Sequence, residues 1–191
     1  MTRKVPGVDQ PWFEIDPECT PDQMEFLAWL DMYSVAWRAC GITPTDVDTH
    51  ARQDEGYLMV AIFLGHPVKN ENYLVLRADY RPRQVIYGED NNPLLDGWLS
   101  DQGAATVFAG DDASPKRCAR AVSDWFATML CRPVDCLVWH DPGFVHRRWV
   151  FADDGRVLDV SDSRNQLRED LGPPDEVIPV RRYVLPPSRS L

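Results

Sequence analysis

Residues 114–162, SPKRCARAVSDWFATMLCRPVDCLVWHDPGFVHRRWVFADDGRVLDVSD, read as one helix followed by a three-strand meander. Ser114 is placed to cap the helix, because its hydroxyl accepts a bond from a backbone N–H that has no partner inside the helix. Pro115 follows at the first helical position, where a missing N–H removes no hydrogen bond. Cys118, Ala121, Val122, Trp125, Phe126 and Met129 recur at three- and four-residue steps, which makes one apolar face. Lys116, Arg117, Arg120 and Asp124 stand between them. Pro133 ends the helix, since the residue before a proline is pushed out of the α region. Val134 to His140 is a short apolar strand, and Asp141-Pro142-Gly143 has turn composition. Arg147 to Ala152 forms a second strand, and Arg156 to Ser161 returns as a third through Asp153-Asp154-Gly155.

The upstream part repeats this order of elements without repeating residues. Thr20-Pro21-Asp22-Gln23 carries a capping box and predicts a helix to about Ala39, with Gly41 suited to a left-handed stop. Leu27, Leu30, Ser34 and Trp37 make one stripe, and Phe26, Trp29 and Tyr33 widen it. A helix this apolar is largely buried or offers its second face to a partner. Asp46 to Gln53, Tyr57 to Leu64, Tyr73 to Tyr80 and Gln84 to Tyr87 then read as strands, with Arg81-Pro82-Arg83 as a turn. The stretch 89–112 is rich in Asp, Asn, Gly and Pro and is the candidate sub-boundary, with a short helix over Pro93 to Leu99. Downstream, Arg164 to Leu171 reads as a short helix. Val177 to Leu185 reads as an edge strand, where Pro179 is tolerated, and Pro186 to Leu191 as a tail. The expected fold is α+β: an antiparallel sheet, or two helix-plus-meander halves, packed against two main helices in a single domain over 1–191.

The net charge is −10. About −7 lies before Leu95 (15 acidic, 8 basic residues) and −3 after it (15 acidic, 12 basic). That balance argues against direct nucleic-acid binding, which needs a positive patch to displace counterions. It suits a basic protein partner, because opposite fields steer association. Five Cys, an odd number, and no signal peptide fit a reducing, cytoplasmic setting. The longest apolar run is too short to span a membrane. Seven Trp residues belong mainly in the core, and any large number of them on the surface would mark a binding face.

The chain holds no G-x-S-x-G, phosphate-binding P-loop or G-x-G-x-x-G pattern. Cys131, Cys136, His140 and His146 are the right ligand types for zinc. However, Cys136 and His140 on one strand stand about 13 Å apart, too far to share a metal. Asp46-Val47-Asp48 resembles the carboxylate pair of some metal-dependent transferases, and on a strand the two side chains would share a face; His50 lies near Asp46, Asp48 and Asp54, any of which could orient it in a small hydrolase or transferase. Asp153-Asp154-Gly155 lacks the alternating acidic ligands of a calcium loop and reads as a turn. For binding, Trp139, His140, Arg147, Arg148 and Trp149 are the candidates, since Trp and Arg are favoured at interface hot spots. Arg147 and Arg148 must point to opposite faces of a strand. The sequence therefore favours a non-enzymatic binding protein without a cofactor, of immunity, inhibitor or chaperone-like type, acting through an acidic, Trp-rich surface. A His/Asp enzyme near 46–54 and an acidic mimic of nucleic acid stand as alternatives.

Overall fold

The computed structural model describes residues 11–52, 54–65, 72–90, 99, 105–162 and 171–182. Helix α1 spans Pro21–Ser34 and opens on the expected capping box: Gln23 N donates to Thr20 Oγ1 at 3.3 Å, and Thr20 N donates to Gln23 Oε1 at 2.8 Å. The α geometry stops five residues earlier than the sequence suggests. Val35–Cys40 continues as a 3-10 helix, which ends on Gly41 at φ 79°. Helix α2 spans Pro115–Leu130, with Ser114 accepting from Arg117 N.

Between the helices, strands β1 (Val47–Arg52), β2 (Tyr57–Gly65), β3 (Asn72–Arg81), β4 (Gln84–Glu89) and β5 (Thr106–Ala109) form one antiparallel sheet in chain order. Strand β5 falls inside the stretch whose composition reads as a linker. Its four residues carry too little pattern to separate from the surrounding loop. After α2, strands β6 (Val134–Asp141), β7 (Phe144–Phe151), β8 (Val157–Asp162) and β9 (Glu176–Arg181) form a second antiparallel sheet in the order β8-β7-β6-β9. Pro179 thus lies on an edge strand, as a residue without an N–H requires. The fold is α+β, with two helices and two antiparallel sheets. The expected helices over Pro93 to Leu99 and Arg164 to Leu171, and the tail from Pro186, fall almost wholly outside the described residues.

Pairing registers decide which side chains share a face. Leu58, Val60, Ile62 and Leu64 on β2, with Leu74, Leu76, Ala78 and Tyr80 on β3, join one apolar cluster with Phe26, Leu27 and Leu30 of α1 and Val122 and Phe126 of α2. Phe26 stacks on Tyr80 with ring centroids 4.3 Å apart. Val134, Cys136, Val138, Trp149 and Phe151 of the second sheet belong to the same cluster. The opposite face of β2, Tyr57, Met59 and Ala61, forms a separate small cluster. An ionic link joins the sheets at their margins. Arg156 Nη1 and Nη2 donate to Glu89 Oε2 and Oε1 at 2.7 and 2.6 Å, and Arg156 and Arg132 both lie over the Phe151 ring.

Candidate functional site

Asp46 is not on a strand. It ends the 3-10 turn Pro44–Asp46, where its Oδ2 accepts from Thr43 N and Thr43 Oγ1, each at 2.8 Å. The expected Asp46–Asp48 carboxylate pair therefore does not form, because the capping box diverts one member. Asp48 and His50 are on β1, exposed, and share the sheet face turned away from the cluster that holds the helices. Asp48 stands opposite Ala61, which stands opposite Arg77; His50 stands opposite Met59, which stands opposite Asp79. Two strand spacings put His50 about 10 Å from the Asp79 row.

Two strands away on the same sheet face lies a buried ion cluster that the sequence reading did not single out. Arg77 is fully buried, and its guanidinium grips Asp79 with two bonds, Nε to Oδ1 at 2.7 Å and Nη2 to Oδ2 at 3.0 Å. Nη1 donates to Asp90 Oδ2 at 2.8 Å, and Nη2 also donates to the Tyr57 hydroxyl at 3.2 Å. Asp79 Oδ2 accepts in addition from Leu99 N at 3.1 Å. Burial works against the Arg77 charge, but its bonds to Asp79 and Asp90 outweigh this and hold its pKa up. Burial pushes the Asp79 carboxyl up, against the pull of Arg77 and the Leu99 amide. Burial, then the Asp79 charge, raises the Tyr57 phenol. One cation against two carboxylates, all inside, is an arrangement that fixes geometry: each charge is tolerated only with its partners in place. The alternation of β3 put Arg77 and Asp79 on one face. That this face is covered, however, is a tertiary fact.

The four zinc candidates do not converge. Cys131 caps α2 against Cys40, and Cys136 lies on the inner face of β6 in the main cluster. His140 is exposed at the far end of that strand, where Nε2 lies 3.1 Å from Glu176 Oε1. His146 is buried on the outer face of β7, edge-on to Phe144 at 4.9 Å. Among the described residues no group of three or more His, Cys, Asp or Glu is placed to hold a metal.

The binding candidates divide between two faces. Trp149 and Arg147 are on the side of the second sheet that turns inward, while Trp139 and Arg148 are on its outer side, with the Arg148 guanidinium 5.6 Å from the Trp139 ring. Trp139 is itself buried, and its Nε1 donates to Gly172 O at 3.2 Å. Trp12, Trp37 and Trp149 are also buried, and Trp29 and Trp125 are half-buried. The described Trp residues thus build the interior rather than a surface.

The apolar surface lies elsewhere, on α1. Met24, Ala28, Met32 and Val35 are exposed, Met32 at 59% and Val35 at 63%. Met24, Ala28 and Met32, at spacings of four, form one stripe along α1, and Val35 follows them as the first residue of the 3-10 segment that continues it. Phe26, Leu27 and Leu30 occupy the buried side, so α1 is apolar on two faces. By helical angle Glu25 borders the stripe on one side and Asp31 on the other. Each anchors locally, Glu25 Oε1 accepting from Trp29 Nε1 and Asp31 Oδ1 from Trp12 N. Residues 11–37 hold six carboxylates and no Lys or Arg. Lys116 and Arg120 of α2 lie over the Trp29 and Tyr33 rings, and Arg38, on the 3-10 segment that continues α1, lies over the Trp12 ring. No helix among the described residues is long and apolar enough to cross a membrane.

No protein-family model matches the chain, and neither does any curated protein or solved structure.

Proposed function

We propose that this chain is a non-enzymatic protein-binding domain whose outer α1 face receives a basic amphipathic helix of a partner protein. The observation that carries the reading is the Met24–Ala28–Met32–Val35 stripe with carboxylates on both borders. A partner helix presenting apolar side chains at i, i+3, i+4 and i+7 would lie along this stripe and bury it. Methionine suits such a surface because its unbranched thioether adapts to the side chains it meets. Glu25 and Asp31 would select Lys or Arg at the rim and oppose an acidic helix. The net charge of −10 would speed the encounter.

Two probes test this: a Lys/Leu amphipathic peptide, and the same peptide with every Lys replaced by Glu. Fluorescence anisotropy should show binding of the basic peptide that weakens with salt, and little binding of the acidic one. Met32→Lys should weaken the basic peptide at least tenfold while leaving the melting temperature nearly unchanged, since the side chain is exposed. Equal binding of both peptides, or an unaffected Met32→Lys variant, sinks the proposal.

A further inference from the structure

Cys40 and Cys131 are 91 positions apart in the chain, yet their Sγ atoms lie 2.9 Å apart in the core. That is closer than two thiols sit in ordinary contact, and only roughly 0.9 Å longer than an S–S bond of about 2.05 Å. The geometry points to Cys40 and Cys131 as an oxidisable pair that closes into a disulfide when the protein meets a small hydroperoxide. Cys40 ends the 3-10 helix that continues α1, and Cys131 caps α2 with its N–H on Ala127 O. The bond would therefore tie the two helical segments together where the chain leaves them. The other thiols are engaged differently: Cys118 donates to Ala113 O at 3.6 Å, and Cys136 packs on the inner face of β6.

The chemistry closes with one equivalent of peroxide. One thiolate attacks a peroxide oxygen, breaking the O–O bond to give a sulfenic acid and hydroxide. The second sulfur attacks the sulfenic sulfur, and the departing oxygen leaves as water with the remaining proton. Two thiols and one hydrogen peroxide thus give one disulfide and two waters, with two electrons passing from sulfur to peroxide. Burial, then the hydrogen bond to Cys131, pushes the Cys40 thiol up to about 12. Cys40 therefore holds little thiolate at neutral pH and is a slow nucleophile. Once made, the disulfide cross-links a long stretch of the unfolded chain, which raises the melting temperature by roughly 5–10 °C.

The test treats the full chain with hydrogen peroxide, alkylates remaining thiols after denaturation, and maps the peptides by mass spectrometry. The Cys40 and Cys131 peptides should appear linked, lighter than their sum by two hydrogens. Dithiothreitol should remove the link and the gain in melting temperature together. A variant with Cys19, Cys118 and Cys136 all changed to Ala should keep the link, and Cys131→Ala should abolish it. Full alkylation of both cysteines after peroxide, a sulfinic acid on either without a link, or a link to any other cysteine would overturn the assignment. Because the mapping is read on the unaltered protein, a variant that does not fold leaves the result intact.

Discussion

Arg83 stands in the left-handed region at φ 64°, the one non-glycine to do so among the described residues. It follows Pro82 in the two-residue connection between β3 and β4. The same arrangement recurs between β6 and β7, where Pro142 is followed by Gly143 at φ 87°. Proline then a positive φ is the residue pattern of a type II turn, and glycine meets that second requirement without a Cβ clash. Arg83→Gly should therefore stabilise the protein by about 1 kcal/mol, read as a higher urea midpoint. The lost Arg83–Asp111 contact is fully exposed and adds little on the other side. No gain would mean that the turn is strained for another reason. Arg77 makes the opposite case. Arg77→Met leaves Asp79 and Asp90 inside without their cation, so a loss of about 3–5 kcal/mol is expected in chemical denaturation. A loss under about 1 kcal/mol would show that water reaches those carboxylates.

Each helix starts where a side chain replaces the missing backbone acceptors. Thr20→Ala removes one bond of the α1 capping box and should cost about 1 kcal/mol. An unchanged midpoint would mean that packing alone holds the first turn. The turn between β7 and β8 is tied to the end of α2 by charge: Arg132 donates to Asp153 at 2.6 and 2.9 Å and to Asp154 at 2.6 Å. The Arg132 hydrogen bond holds the Asp153 carboxyl below its ordinary range. A depressed folded pKa contributes stability that is present above the unfolded value, about 3.9, and lost as pH falls through the folded one. Asp153→Asn should therefore cost up to about 1 kcal/mol at pH 7, given its exposure, and progressively less as the pH falls below about 3.9. A cost that does not change with pH would assign the effect to the turn backbone instead.

Over the whole molecule, one apolar cluster draws on both helices and on the inner faces of both sheets, from Trp12 to Phe151. The two halves, alike in their order of elements, thus share a core. Urea unfolding followed by Trp fluorescence and by far-UV circular dichroism should trace one coincident transition. Two separated transitions would restore 89–112 as a boundary between domains. Acidity is also distributed at this scale. Residues 11–37 carry six carboxylates and no Lys or Arg of their own, while the second half interleaves both signs.

The sequence by itself determined the α+β class, both helix starts, most strands and the turns. These follow from capping chemistry, from hydrophobic period and from the conformational limits of proline and glycine, all of which act within a few residues. It also placed Arg147 and Arg148 on opposite faces, because strand alternation needs no partner. Only the tertiary structure decided which faces are covered. It buried Trp12, Trp37, Trp139 and Trp149, gathered Arg77, Asp79, Asp90 and Tyr57 into one ion cluster, and brought Cys40 against Cys131. It also left Met24, Met32 and Val35 uncovered on a helix whose composition is apolar all round. Burial and charge pairing depend on chain segments far apart in sequence, and local periodicity carries no record of which segments will meet.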